Sequence, residues 1–137
     1  MIYNTIFNKL VKIGIITKDG KPAFDEYLKL KSGAFMDLNI DFLYEEDDRY
    51  TIAIAHNYIQ NGDVMADPDM EISIIPEMKM AEALTFRQDG AFPRSQQIYS
   101  YDENGVKLVR PKLKTELNKF LNMWLGNIKK QGFKNPA

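Results

Sequence analysis

The chain has no cysteine and a single histidine, His56, among its 137 residues. The first absence excludes a disulfide framework, thiolate metal sites and a cysteine nucleophile. The second, with no H-E-x-x-H spacing, argues against a zinc hydrolase. No G-x-x-x-x-G-K or G-x-G-x-x-G run is present to cradle a phosphate, and no G-x-S-x-G run to hold a serine nucleophile. No apolar run approaches the roughly 18 residues of a membrane span. Met1-Ile2-Tyr3-Asn4 does not open a secretory leader, so the chain reads as cytoplasmic.

What is present is ordinary for a folded globule: 45% hydrophobic and 27% charged residues. The length reads as one domain over 1–137, with a core that needs no staples. Net charge is only −1, but it is unevenly spread. Residues 19–90 carry sixteen acids against six bases, whereas residues 104–137 carry eight bases and Glu116 alone. Either the acidic middle and basic tail attract each other within the fold, or the basic stretch meets an anionic partner.

Apolar periodicity divides the chain. Tyr3, Phe7, Leu10 and Val11 recur at helical spacing, predicting an amphipathic helix over Ile2 to Ile13 that stops at Gly14. From Tyr27 the period becomes two. Tyr27 to Lys31, Met36 to Tyr44, Tyr50 to Ile59, Met70 to Ile75, Met78 to Arg87, and the pair Gln97 to Tyr101 and Val106 to Arg110 all read as strands. Asn104-Gly105 closes that last pair as a hairpin. Pro111 then opens a long helix with Leu113, Leu117, Phe120, Leu121, Trp124 and Ile128 on one stripe, ending at Gly132 with Phe133 folded back on Ile128. Connections between strands are too short for parallel crossovers. The expected fold is therefore α+β in two layers: an antiparallel sheet of five to six strands, with the N-terminal and long C-terminal helices on one face. Ile52, Ala53, Ile54 and Ala55 are apolar on both sides of their strand, which leaves room for a homodimer.

The densest polar stretch runs from His56 to Glu71 and reads as a wide, structured loop between two strands. Asn61-Gly62-Asp63 and Asp67-Pro68-Asp69 are turn signals, so much of this stretch can be explained by turn building alone. The functional alternative makes it a ligand-binding loop of His56, Tyr58, Gln60, Asn61, Gly62, Asp63, Asp67 and Asp69. If His56 converges with Asp63, Asp67, Asp69 and Glu71, the set suits a divalent ion and a metal-assisted hydrolase. The spacing is not that of an EF-type calcium loop, because the glycine precedes the first aspartate. His56 also alternates in phase with Ile52, Ile54 and Tyr58, the usual place of a hydrogen-bonded core histidine. Ser73, Ser95 and Ser100 have no nucleophile context. No catalytic set is complete, no cofactor is called for beyond a divalent ion, and a binding or interaction protein with a protein or small-molecule partner is the first reading.

H-x-Y-x-Q-N-G-D-x-M-x-D-P-x-M, from His56 to Met70, resembles the signature of a family of small uncharacterised bacterial proteins carried by phages, plasmids and conjugative elements. The resemblance covers Phe35 to Phe133 and implies an aromatic and polar region before a C-terminal helix. It brings no activity with it. Two further features stand outside that stretch. The segment Phe86 to Ile98 mixes aromatic, amide and arginine groups and could form the rim of a pocket or a contact surface. Arg87, Arg94, Lys107, Arg110, Lys112 and Lys114, with Tyr99 and Tyr101 to stack on bases or to pack across strands, form the case for nucleic acid as a third reading.

Overall fold

The computed structural model describes residues 1–91 and 93–136. Helix α1 (Ile2–Ile13) is followed by strands β1 (Tyr27–Leu30), β2 (Leu38–Glu45), β3 (Tyr50–Gln60) and β4 (Asp63–Ile75). A 3₁₀ turn (Pro76–Met78) leads into β5 (Met80–Ala83), β6 (Thr85–Arg87), β7 (Ser95–Gln97), β8 (Tyr99–Tyr101), β9 (Lys107–Val109) and helix α2 (Pro111–Lys130). The main sheet has seven strands in the order β1-β2-β3-β4-β6-β7, with β5 also paired to β4, and every pairing is antiparallel. β8 and β9 make a separate two-stranded ribbon. The class is the expected two-layer α+β.

The expected wide loop from His56 to Glu71 is overturned. Residues 56–60 complete β3, residues 63–71 belong to β4, and only Asn61 and Gly62 connect them. Gln60 pairs with Asp63 across this two-residue turn. Asn61 and Gly62 both take positive φ, 54° and 85°, the geometry whose twist matches antiparallel strands. Asp67-Pro68, a cis peptide, is no turn either. It lies within β4, where the register moves from Ala55 opposite Asp69 to Asn57 opposite Ala66. Two residues of β4 there face His56 alone, a bulge that absorbs the proline without ending the strand.

Two long expected strands are broken instead. Met78 to Arg87 divides at Leu84, where Leu84 N–H donates to Glu71 O at 2.8 Å and Glu71 N–H turns to Thr85 Oγ1 at 3.1 Å. Gln97 to Tyr101 divides at the fully buried Ile98, so its two halves join different sheets.

The core is the helix-covered face of the sheet. Ile6, Phe7, Leu10 and Ile13 of α1 and Leu117, Leu121, Trp124, Leu125 and Ile128 of α2 meet Leu38, Ile40, Ile52, Ile54, Met70, Ile72 and Ile74 from β2, β3 and β4. After α2, Gly132 takes φ 92° and Phe133 N–H reaches back to Ile128 O at 3.3 Å, placing the Phe133 ring in the core. Asn135 then donates through Nδ2 to Gly14 O at 3.0 Å and Ala23 O at 3.2 Å, tying the chain after α2 to the end of α1.

Asn118 performs a similar task in the middle of α2. Almost fully buried, it accepts the Ala83 N–H through Oδ1 and donates through Nδ2 to Lys114 O, each at 2.8 Å. The amide thereby satisfies a donor of β5. Asn118→Ala leaves that N–H buried without a partner and is expected to cost about 1–3 kcal/mol, read as a lower urea midpoint with unchanged slope.

Candidate functional site

The hairpin separates the sequence candidates onto different surfaces. His56 is 7% exposed and sits on the helix-covered face. Its ring centre lies 5.7 Å from that of Trp124 and 5.6 Å from that of Phe133. Nδ1 is 3.2 Å from the Asp37 carbonyl, which can only accept, so Nδ1 carries the proton. Tyr58 pairs with Met65, and Gln60 with Asp63 near the hairpin end. Asp63 borders an open depression with Val64, Met65, Asp89, Gly90 and Arg94. Asp67 accepts a hydrogen bond from Gln88 Nε2 at 2.8 Å. Among the described residues no three His, Asp or Glu side chains are grouped to hold a metal ion.

Asp69 is placed differently. From Asp69 onward β4 alternates strictly, with Met70, Ile72 and Ile74 in the core and Asp69, Glu71 and Ser73 on the opposite face. Their pairing partners continue this face: Arg87 stands opposite Asp69, and Thr51 and Glu82 stand opposite Ser73. The break at Leu84 leaves a trough there, formed by two adjoining cavities. The first, about 430 Å³, is lined by Asp69, Glu71, Thr85, Phe86, Arg87, Ser95, Gln96, Gln97 and Arg110. The second, about 220 Å³, shares Glu71, Thr85 and Gln97 and adds Arg49, Thr51, Ser73, Glu82, Tyr99 and Lys107, with others at its margin. The segment Phe86 to Ile98, read as the rim of a pocket, does supply one wall. Phe92 within it lies outside the described residues.

The wall is braced by Asp89. Its Oδ2 accepts Ala66 N–H at 2.8 Å, Asp89 N–H returns to Ala66 O at 3.0 Å, and Arg94 and Arg87 lie at 2.5 and 3.4 Å. The Ala66 amide, followed by the arginines, holds this carboxyl below its ordinary range. Asp69 and Glu71 move the other way. Burial pushes Asp69 up; Arg87 opposes the rise, while Asp41 and Asp89 add to it. Burial and then the charge of Asp69 push Glu71 up. Neither carboxylate has a hydrogen bond or ion pair to a described residue. Ser73 Oγ, buried on the same face, has no hydrogen-bond partner.

At the second cavity Glu82 accepts from Tyr99 Oη at 3.0 Å, with Lys114 at 3.5 Å and Arg49 at 4.0 Å. The Lys107 and Lys114 ammonium groups lie 4.2 and 5.4 Å from the centre of the Tyr99 ring, so cations occupy the place where a base would stack. Glu71, Ser73 and Arg110 appeared in the sequence only as an ion ligand, an isolated serine and one base of a stripe. The alternation Asp69-Glu71-Ser73 was the signal that puts them on one face.

These features define a two-layer α+β protein whose uncovered sheet face is polar and carries a trough. Residues 4–134 match the family model described as a domain of unknown function, DUF6908, and the chain belongs to that family. The match takes in α1, well before Phe35. No curated protein and no solved structure matches the chain.

Two outcomes are expected. His56→Ala empties a site between Trp124 and Phe133 and should cost about 2–5 kcal/mol in a denaturant melt. Glu71→Gln should do the reverse. Burial and the Asp69 charge hold the folded-state pKa of Glu71 above its ordinary value, so the folded chain keeps this proton to higher pH than the unfolded chain. Charging Glu71 therefore costs stability as pH rises through that window. Thermal melts at pH 7 should show Glu71→Gln more stable, within the roughly 0.5–2 kcal/mol of charge-relieving substitutions. The gain should vanish below roughly pH 3.5, where the carboxyl is protonated folded or unfolded.

Proposed function

We propose that this is a non-enzymatic binding protein that takes a small polar molecule in the trough on the open face of the sheet. The observation that carries the reading is the pair Asp69 and Glu71: two half-buried, unpartnered carboxylates on the floor of a cavity of about 430 Å³. Leaving charged groups desolvated and unpaired costs stability, a cost commonly met at sites that bind. The volume falls in the usual range for small-molecule sites.

This moves the site from the hairpin end to the later half of β4, and of the eight ligand-binding candidates from His56 to Asp69, Asp69 alone lines the trough. The metal-assisted hydrolase reading, with His56, Asp63 and Asp67, lacks supporting geometry, because His56 faces the helices and Asp67 is engaged by Gln88. Ser73, the buried hydroxyl of the trough, is hydrogen-bonded to no base among the described residues. Nucleic-acid binding loses its stacking platform at Tyr99. The signature from His56 to Met70 supports placing the chain among small bacterial proteins of mobile elements. Among the described residues no helix is long and apolar enough to cross a membrane.

The test is a screen of small polar fragments followed by amide chemical shifts. Binders should perturb residues 69–73, 85–87 and 95–97. Gln97→Ala should weaken them about tenfold, the scale of one hydrogen bond, and Asp63→Ala should leave them unchanged. Binders that all map to the hairpin end or the helical layer, with none in the trough, would overturn the reading.

A further inference from the structure

The charged groups around the trough differ in what already satisfies them. Arg87 is held by Asp89. Glu82 is held by Tyr99, Lys114 and Arg49, and Lys107 lies against the Tyr99 ring. Arg110 is exposed at the rim, where water solvates its guanidinium. Only Asp69 and Glu71 are both desolvated and without a donor. Next on the same face of β4 comes Ser73, 3% exposed, its Oγ unpartnered and its side chain lining the cavity that Glu71 shares. Three oxygen-bearing side chains thus follow one another along one strand face, about 6.8 Å apart per step, and all three lack a hydrogen-bond donor.

We propose that the trough recognises a ligand through a protonated amine, seated against Glu71 with Ser73 and Asp69 on either side. The inference rests on the trough being the binding site. An ammonium is compact and carries three donors and no acceptor, which matches an acceptor-rich floor. An anion there would add to the repulsion among Asp41, Asp69, Glu71 and Glu82. A neutral group would leave the Glu71 charge uncompensated in a half-buried position. Arg110 and Lys107 at the mouth disfavour a second cation, so the outer end of the ligand is neutral or anionic.

The experiment uses three molecules of one length: 4-aminobutan-1-ol, 1,4-butanediol and 4-hydroxybutyrate. Each is titrated into the full chain, with the Glu71, Ser73 and Thr85 amides followed by NMR. The amine should shift these amides saturably, with a dissociation constant about tenfold or more below that of the diol, the scale of a hydrogen bond to a charged group. The carboxylate should not shift them. Glu71→Gln, which keeps shape and fold, should remove the advantage of the amine over the diol, and Ser73→Ala should reduce it. An equal or stronger response to the diol or the carboxylate overturns the amine assignment while the trough remains a binding site. So does an amine response that survives Glu71→Gln. Silence with all three also overturns it, and the fragment screen above then decides separately whether the trough binds anything.

Discussion

The pairing of β3 with β4 is the constraint on which both layers depend. These are the longest strands, joined by two residues, and they carry the apolar rows of Ile52, Ile54, Met70, Ile72 and Ile74 that the helices cover. A slip of one residue would turn those rows outward and drive Asp69 and Glu71 into the core. Asn61-Gly62 helps prevent it by admitting only strands that twist together. The bulge at Asp67-Pro68 adds a second control, since it lets the hairpin end run out of step with the part that faces the helices.

Once that register is set, the two faces of the sheet answer to different physics. The covered face is aliphatic, and its polar members, His56 and Asn118, are hydrogen-bonded. The open face carries charge at short range, and most of it is paired: Asp89 with two arginines and an amide, Glu82 with a tyrosine, a lysine and an arginine. Lys114 to Glu82 is also the ion pair that joins the basic C-terminal stretch to the acidic middle. Asp69, Glu71 and Ser73 stand apart because no described residue gives their side chains a hydrogen bond or an ion pair. Thr85, on the adjoining strand, accepts the Glu71 amide at its hydroxyl oxygen.

How much of this was legible in the sequence follows from where local signals agree with tertiary ones. Both helices were readable because stripe, stop signal and returning hydrophobe all pointed the same way, as in Ile128-Gly132-Phe133. The hairpin was misread because turn chemistry was counted twice. Asn61-Gly62 is a turn, but Asp67-Pro68, which has the same local appearance, lies inside a strand whose neighbours hold it extended. The phase of His56 with Ile52 and Ile54 points to the buried side that it occupies, although the same residue also heads the ligand-binding candidates of the sequence. The trough was only partly visible. The mixed composition of Phe86 to Ile98 marked one wall, but the floor is ordinary β alternation, and which break opens beside it depends on Thr85 and Leu84 meeting Glu71.

The helical layer has a consequence for the order in which the molecule comes together. The strands from β2 to β5 pair with near neighbours across short connections, so closing each loop costs little entropy. The helices come from opposite ends of the described chain, and the Asn135 to Gly14 contact spans 121 residues. That closure carries the larger entropic cost and raises the contact order of the fold, which slows folding. Until it is made, the apolar side of the sheet lies open to water. The charges on the other side then do something besides any binding: they leave an incomplete sheet with one adhesive face instead of two, which limits how such chains can stack on one another.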